Sequence, residues 1–357
     1  MGKLAGPAQP FRAPSVQGPN ERPPVGLDDL PGVWRESLRA VSGGLVRLRR
    51  AGEHTLSPTP PPARGSLLPA RAIDHWAYRS PLDAAPVERI TIEHPDVPLA
   101  LDGLSILHAT DLHLRRRARD EQFRVLQRAL RQTPADIVAF TGDYHDGVGN
   151  EDAAAELLAE LGASASSLPR LGVYGVFGNH DTDRMRALCR RIDAITWLEN
   201  HAAPPVRSGG PGASQTLPLC IVGLSFPEDP LAAMLELPVA PARQTPRPLT
   251  ITLAHQPSMF AACADMGSSI VIAGHTHAGQ IRVAPGFAIH TSSDLPGTMA
   301  SGVLRIRSTL CLISRGVGEG FWPGLRINCP RQLPLYTLRQ GPLPGAEASR
   351  LRCVRAW

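Results

Sequence analysis

The sequence predicts an α/β domain behind a Pro-rich extension, and three features predict it. From about residue 86 onward, short apolar runs alternate with stretches of helical periodicity, the pattern of strands joined by helices. Five of the apolar runs stop at a polar turn carrying Asp, Asn or His. The stretch before residue 86 holds a large share of the 36 Pro residues and little periodicity, a composition that favours disorder over a packed core. The 357 residues therefore divide into an extension (1–85), one domain (86–340) and a tail (341–357).

Within the extension, Leu30, Val33, Trp34, Leu38, Val41, Leu45 and Leu48 recur at helical spacing, with Arg35, Arg39, Arg47, Arg49 and Arg50 off the stripe. This reads as a basic amphipathic helix near 30–50, able to lie on an anionic membrane surface or to pack on its own domain, and weakened by Gly43-Gly44. The alternating run Val87–Glu93 opens the domain as an edge strand. Leu104–Ala109, Asp136–Phe140, Val173–Phe177, Leu219–Leu224, Leu249–Leu253 and Ile270–Ala273 follow as strands. Helices are expected over Phe123–Leu130, Ala153–Leu161, Arg184–Arg191 and Leu231–Leu235, and an irregular insertion over His201–Thr216. Beyond Gln280 the sequence is strand-like with glycine turns, which suggests a closing run of antiparallel strands.

Composition narrows the function. A formal charge of +5 and a pI near 9.1 suit a phosphate-bearing substrate or an anionic lipid surface without demanding specific nucleic-acid binding. Six scattered cysteines with no C-x-x-C pair argue for reduced thiols and against a zinc knuckle. No secretory h-region follows Met1 and no window reaches the length of a membrane span, so a cytoplasmic protein, peripheral at most to the inner membrane face, is the expectation.

The polar turns carry the chemistry. Asp111 and His113, and likewise His275 and His277, are spaced i, i+2, so an extended backbone would turn both side chains of each pair to one side. Asp143, Asn179 and His255 end three further strands, and sites assemble at the carboxyl ends of strands in α/β sheets. Oxygen and imidazole donors without thiolate suit catalytic Mn, Fe, Zn or Co.

The ordered set Asp111-x-His113, Gly142-Asp143-x-x-Asp146, Gly178-Asn179-His180-Asp181, His255 and Gly274-His275-x-His277 resembles the calcineurin-like metallophosphoesterase superfamily over residues 86–340. The turns from Gly274 to Gln280 and from Ser314 to Gly318, with Asn328-Cys329-Pro330, resemble its bacterial YkuE and YaeI branch. The resemblance implies a four-layer αββα sandwich of two mixed sheets. It also implies two divalent or trivalent metal ions, one on Asp111, His113 and His277 and the other on Asn179, His255 and His275, with Asp143 bridging. A hydroxide between the metals would attack phosphorus, His180 would assist the leaving group, Asp146 would orient His180, and Asp181 would fix its own turn. The implied activity is hydrolysis of a phosphodiester or pyrophosphate, on a nucleotide-type, other small-molecule or lipid-linked phosphate ester. A broad phosphomonoesterase and a non-catalytic metal-binding module are the alternatives. His145 departs from the apolar residue common at its position, and His108, His145 and His290 read as ordinary packed or surface histidines. Arg115-Arg116-Arg117 reads equally as a steering patch or a solvated run, and Arg315 as a phosphate contact or a loop brace.

Overall fold

The computed structural model describes residues 87–114, 122–147, 149–166, 171–207, 215–226, 248–284, 287–288, 290–320, 326–344 and 352–355. The expected amphipathic helix near 30–50, the run Arg115–Arg117 and the short helix over 231–235 lie outside them.

The first sheet is built from β1 (Val87–His94), β2 (Ser105–Ala109), β3 (Ile137–Thr141), β4 (Gly172–Val176) and β5 (Thr196–Trp197). α1 (Gln122–Gln132) joins β2 to β3, α2 (Glu151–Ser166) joins β3 to β4, and α3 (Asp183–Cys189) follows β4. Local chemistry sets these helices. Glu151 and Asp152 place negative charge in the first turn of α2, and the Thr182 side chain caps α3 by accepting from the Met185 N–H at 3.2 Å. In α1, Phe123, Leu126 and Leu130 are buried on one stripe while Arg124 and Arg128 are exposed.

The second sheet comprises β6 (His201–Ala202), β7 (Leu219–Leu224), β8 (Leu249–Ala254) and β9 (Ile270–Ala273), then β12 (Gly302–Ile306) and β13 (Thr309–Ile313). A small ribbon of β10 (Arg282–Ala284) and β11 (Phe287–Ala288) stands apart. β8 and β9 are buried along their whole length, as parallel strands covered on both faces must be. The helix α4 (Phe260–Asp265), which the sequence reading did not anticipate, follows β8 and buries Phe260, Ala262 and Cys263.

The closing segment differs from the expected antiparallel run. β12 pairs antiparallel with β13, but β13 runs parallel to β9. β14 (Leu333–Gln340) leaves that sheet for the first one, where it lies parallel to β1 and antiparallel to β2. The reason is burial: Leu333, Leu335, Tyr336 and Leu338 are all buried there, which a place on an exposed edge would forgo. β15 (Arg352–Arg355), inside the stretch set apart as a tail, covers the open edge of β12.

The sheet orders are β1-β14-β2-β3-β4-β5 and β15-β12-β13-β9-β8-β7-β6. Three apolar clusters define the layers. One joins α1, α2 and α3 to the first sheet, one lies between the sheets, and one joins α4 to the second sheet. Helix, sheet, sheet and helix give the four layers expected. β2, β3 and β4 are parallel neighbours in one sheet, and β8 and β9 in the other, so five strands deliver their carboxyl ends to one region.

Candidate metal centre

The turn after β2 runs beside the turn after β3. The N–H groups of Asp111, His113 and Leu114 donate to the carbonyls of Gly142, Asp143 and Tyr144 at 3.0, 3.0 and 2.8 Å. This continues the β2–β3 pairing in a twisted form. Asp111, His113, Asp143, His275 and His277 all have positive φ, between 44° and 70°. The expectation of an extended backbone is therefore corrected: left-handed turns aim the paired side chains, at a cost of order 1–3 kcal/mol per residue that the surrounding hydrogen bonds offset.

Glycines let the turns approach. A side chain on Gly142 would bring its first carbon to 2.5 Å from the Gly178 nitrogen, and one on Gly274 would collide with Thr110 Oγ1 and the Asp111 carboxylate. Asp181 does more than fix its own turn. It accepts from the N–H of Gly178 at 2.7 Å, Asp143 at 2.9 Å and Tyr144 at 2.8 Å, tying the turn after β4 to the turn after β3. No sequence signal separates that role from simple capping.

The side chains converge on Asp143. Its Oδ2 lies 3.2 Å from His255 Nε2 and 3.9 Å from His113 Nε2, while Oδ1 accepts from the His180 N–H at 2.9 Å. His113 Nε2 and His277 Nε2 are 2.9 Å apart, and His277 Nε2 is 3.4 Å from Asp111 Oδ1. His275 Nδ1 is 3.2 Å from His255 Nε2, and Asn179 Oδ1 is 3.0 Å from the same nitrogen. Donor atoms of Asp111, His113, Asp143 and His277 all lie within 4.8 Å of one another, as do those of Asp143, His255 and His275. His180 is exposed, as is Asn179 among the predicted ligands, and the other predicted ligands are buried. Asp146 is buried, and its carboxylate forms a group with His113 and His180 on the same 4.8 Å measure.

Tautomers test whether this set fits a cation. His255 Nδ1 lies 2.7 Å from the Thr141 carbonyl oxygen and His275 Nε2 lies 2.8 Å from the Ser292 carbonyl oxygen. A carbonyl cannot donate, so both of those nitrogens carry hydrogen and the inner nitrogens present lone pairs. Bare nitrogens 3.2 Å apart beside a carboxylate repel unless a positive charge sits among them. A metal ion meets that demand, and so does a proton.

Electrostatics agrees. Burial pulls the His255 imidazole down, but Asp143, by charge and hydrogen bond, together with Asp111 and the Thr141 carbonyl, carries it up to about 9. Burial lowers His113 and His275 to about 4, and pushes His277 well below the usual imidazole range. Burial raises the Asp111 carboxyl to about 6, whereas for Asp143 the surrounding imidazoles, His255 first, overcome burial and hold it well below the usual carboxylate range.

The remaining residues of interest have other places. His108 and His145 are buried and His290 is exposed. Arg315 donates to the Pro330 carbonyl at 2.8 Å and pairs with Glu88 at 3.0 Å, so it braces a loop. Arg326, which sequence reasoning passed over, is 3% exposed behind His277. Its Nη2 donates to the Gly318 and Arg315 carbonyls at 2.6 and 2.9 Å and stands 3.3 Å from His277 Nδ1. Among the described residues no carboxylate pairs with it, and no helix is long and apolar enough to cross a membrane.

Residues 104–279 match the family described as calcineurin-like phosphoesterase. YkoQ of Bacillus subtilis (strain 168), an uncharacterized metallophosphoesterase, is 27% identical over 202 residues, which cover 55% of this chain and 68% of that protein. YkuE of the same organism, described in the same terms, is 23% identical over 285 residues, covering 78% and 93%. The phosphodiesterase YaeI of Escherichia coli (strain K12) is 28% identical over 218 residues, covering 57% and 70%. With the buried Asp and His cluster at the strand ends, these matches lead to one conclusion: the chain carries a calcineurin-like metallophosphoesterase domain and is a phosphoester hydrolase of that family.

Proposed function

We propose that the domain hydrolyses a phosphodiester or pyrophosphate bond at a two-metal centre bridged by Asp143. The observation that supports this most is the double membership of Asp143, whose carboxylate belongs both to the group with Asp111, His113 and His277 and to the group with His255 and His275. In this reading the first group holds one ion, and His255, His275 and Asn179 hold the other. When bound, such ions supply Lewis acidity toward phosphoryl oxygens and bring the pKa of a water toward ~7. Oxygen and imidazole donors suit Mn, Fe, Zn or Co.

The chain's own residues do the rest. Backbone hydrogen bonds to Asp181 hold the Asp143 turn rigid, so the carboxylate is preorganised. His180, exposed and tethered through its N–H to Asp143, gives a proton to the leaving oxygen. Asp146, whose carboxylate lies in one group with His113 and His180, orients His180. The preference for a diester follows the relative named as a phosphodiesterase. The substrate is a small-molecule or lipid-linked phosphate ester, and contact with an anionic membrane through the N-terminal segment belongs to the same reading.

Turnover of bis-p-nitrophenyl phosphate by Mn-loaded protein, compared with p-nitrophenyl phosphate, tests it. Faster cleavage of the diester is expected. A reversed ratio moves the assignment to a broad phosphomonoesterase, and metal binding with turnover of neither compound makes the domain a binding module.

A further inference from the structure

Beside His277, the turn His277–Gly279 ends at Gln280, which adopts φ 51° and is 8% exposed. Its Oε1 accepts from the Gly320 N–H at 2.8 Å. That bond fixes which way the amide faces, because only the oxygen can meet an N–H. Nε2 is thereby turned the other way, and among the described residues no group accepts from it. The amide is pinned at its oxygen and its Nε2 reaches solvent, so the two N–H donors are open to an entering ligand.

The space it faces is defined by Gly320. A first side-chain carbon there would stand 3.6 Å from Gln280 Nε2 and 3.7 Å from His277 Nε2, at ordinary contact distance from both and nearer to no other described atom. Gln280 Nε2 and His277 Nε2 therefore lie side by side next to the Gly320 main chain, and a side chain at position 320 would stand against both nitrogens. Among the described residues, two guanidiniums near this turn are committed elsewhere. Arg326 is committed to carbonyls behind His277, and Arg315 to Pro330 and Glu88.

We propose that Gln280 is a substrate-contact residue, whose Nε2 donates to a non-bridging phosphoryl oxygen that approaches His277 past the bare main chain of Gly320. The role rests on the phosphoesterase reading above. A neutral donor suits the single charge of a diester; a dianionic monoester would gain more from Arg or Lys.

Binding of inorganic phosphate to the metal-loaded protein by calorimetry, together with KM for bis-p-nitrophenyl phosphate, tests the assignment. Gln280→Ala should weaken phosphate binding and raise KM by about 10- to 100-fold, the loss expected for a hydrogen bond to a charged acceptor, with metal content unchanged. Gln280→Glu separates contact from bracing. It keeps an acceptor for the Gly320 N–H but offers no donor, so it should bind phosphate at least as poorly as Gln280→Ala. Wild-type affinity in Gln280→Glu would mean that the residue only holds the loop, and would overturn the proposal. Gly320→Ala, which fits sterically, should raise KM by placing a methyl against Gln280 Nε2 and His277 Nε2; it decides the matter if Gln280→Ala loses metal or fails to fold, and a KM within twofold of wild type then contradicts the proposal. If metal-loaded wild type neither binds phosphate nor turns over the diester, it is the phosphoesterase reading that fails; if wild type does both and the variants match it, the role of Gln280 fails alone.

Discussion

The four imidazoles at the centre form two pairs that are held in different ways. His255 and His275 are anchored from behind by the backbone carbonyls of Thr141 and Ser292, so their tautomers are set before any ion arrives. In the other pair, His113 Nδ1 has no hydrogen-bond partner among the described residues and His277 Nδ1 faces the buried guanidinium of Arg326. The first pair is preorganised by the chain's own backbone. The second is held by packing, by the Asp111 carboxylate and by a cation that itself clamps the loop from Arg315 to Gly318. Asp143 stands between them, and its carboxylate belongs to the donor groups of both pairs.

The largest effect is expected where the pairs meet. Asp143→Ala should remove metal from both pairs and lower diester turnover by on the order of 10³-fold or more, since positioning and charge are lost together. Elemental analysis after gel filtration gives the metal count, and retention of two ions with normal turnover would dissolve the comparison. Next, Arg326→Met should act on one pair alone. Losing the clamp behind His277 should weaken one ion by about 10- to 100-fold while the other stays tight. A metal titration that shows equal weakening at both sites would make Arg326 a general structural residue.

A smaller effect concerns protons. In metal-free protein His255, raised to about 9 from an ordinary value of 6.5, keeps its proton at neutral pH. Its contribution to folding stability is therefore fully present below pH 6.5 and is lost as the pH rises through 9. Metal must displace that proton, so metal affinity should strengthen across the same window. Calorimetry at pH 7 in buffers of different ionisation enthalpy should show about one proton released from the anchored pair, with the release gone well above pH 9. The smallest effect on chemistry belongs to Arg315, on the far side of the clamped loop. Arg315→Ala should cost about 1–3 kcal/mol of stability through its lost bonds to Glu88 and the Pro330 carbonyl, and leave KM unchanged.

The anchored and unanchored pairs were not equally legible. Every predicted ligand sits where an apolar strand ends in a polar turn, because strand burial and turn polarity are written locally. That placed Asp111, Asp143, Asn179, His255 and His275 on the right elements, and the apolar runs placed the strands. The left-handed backbone at Asp111, His113, Asp143, His275 and His277 was not legible, since non-glycine residues carry no local mark of positive φ. Arg326 was hidden for a different reason. It lies 49 residues past His277 and meets it only through the tertiary fold. The same distance effect hid the return of β14 to the first sheet, where β1 and β2 supply the burial that selects it. Helix α4 escaped because six residues that begin just after Pro257 are too few to show a helical period.

One measurement bears most directly on a two-metal centre bridged by Asp143, with His180 outside the ligand set. Metal bound per chain and diester turnover are determined together for wild type and His180→Ala. Two ions per chain in both proteins, with turnover lost only in His180→Ala, is the result predicted. One ion or none in wild type, or loss of an ion on replacing His180, would contradict it.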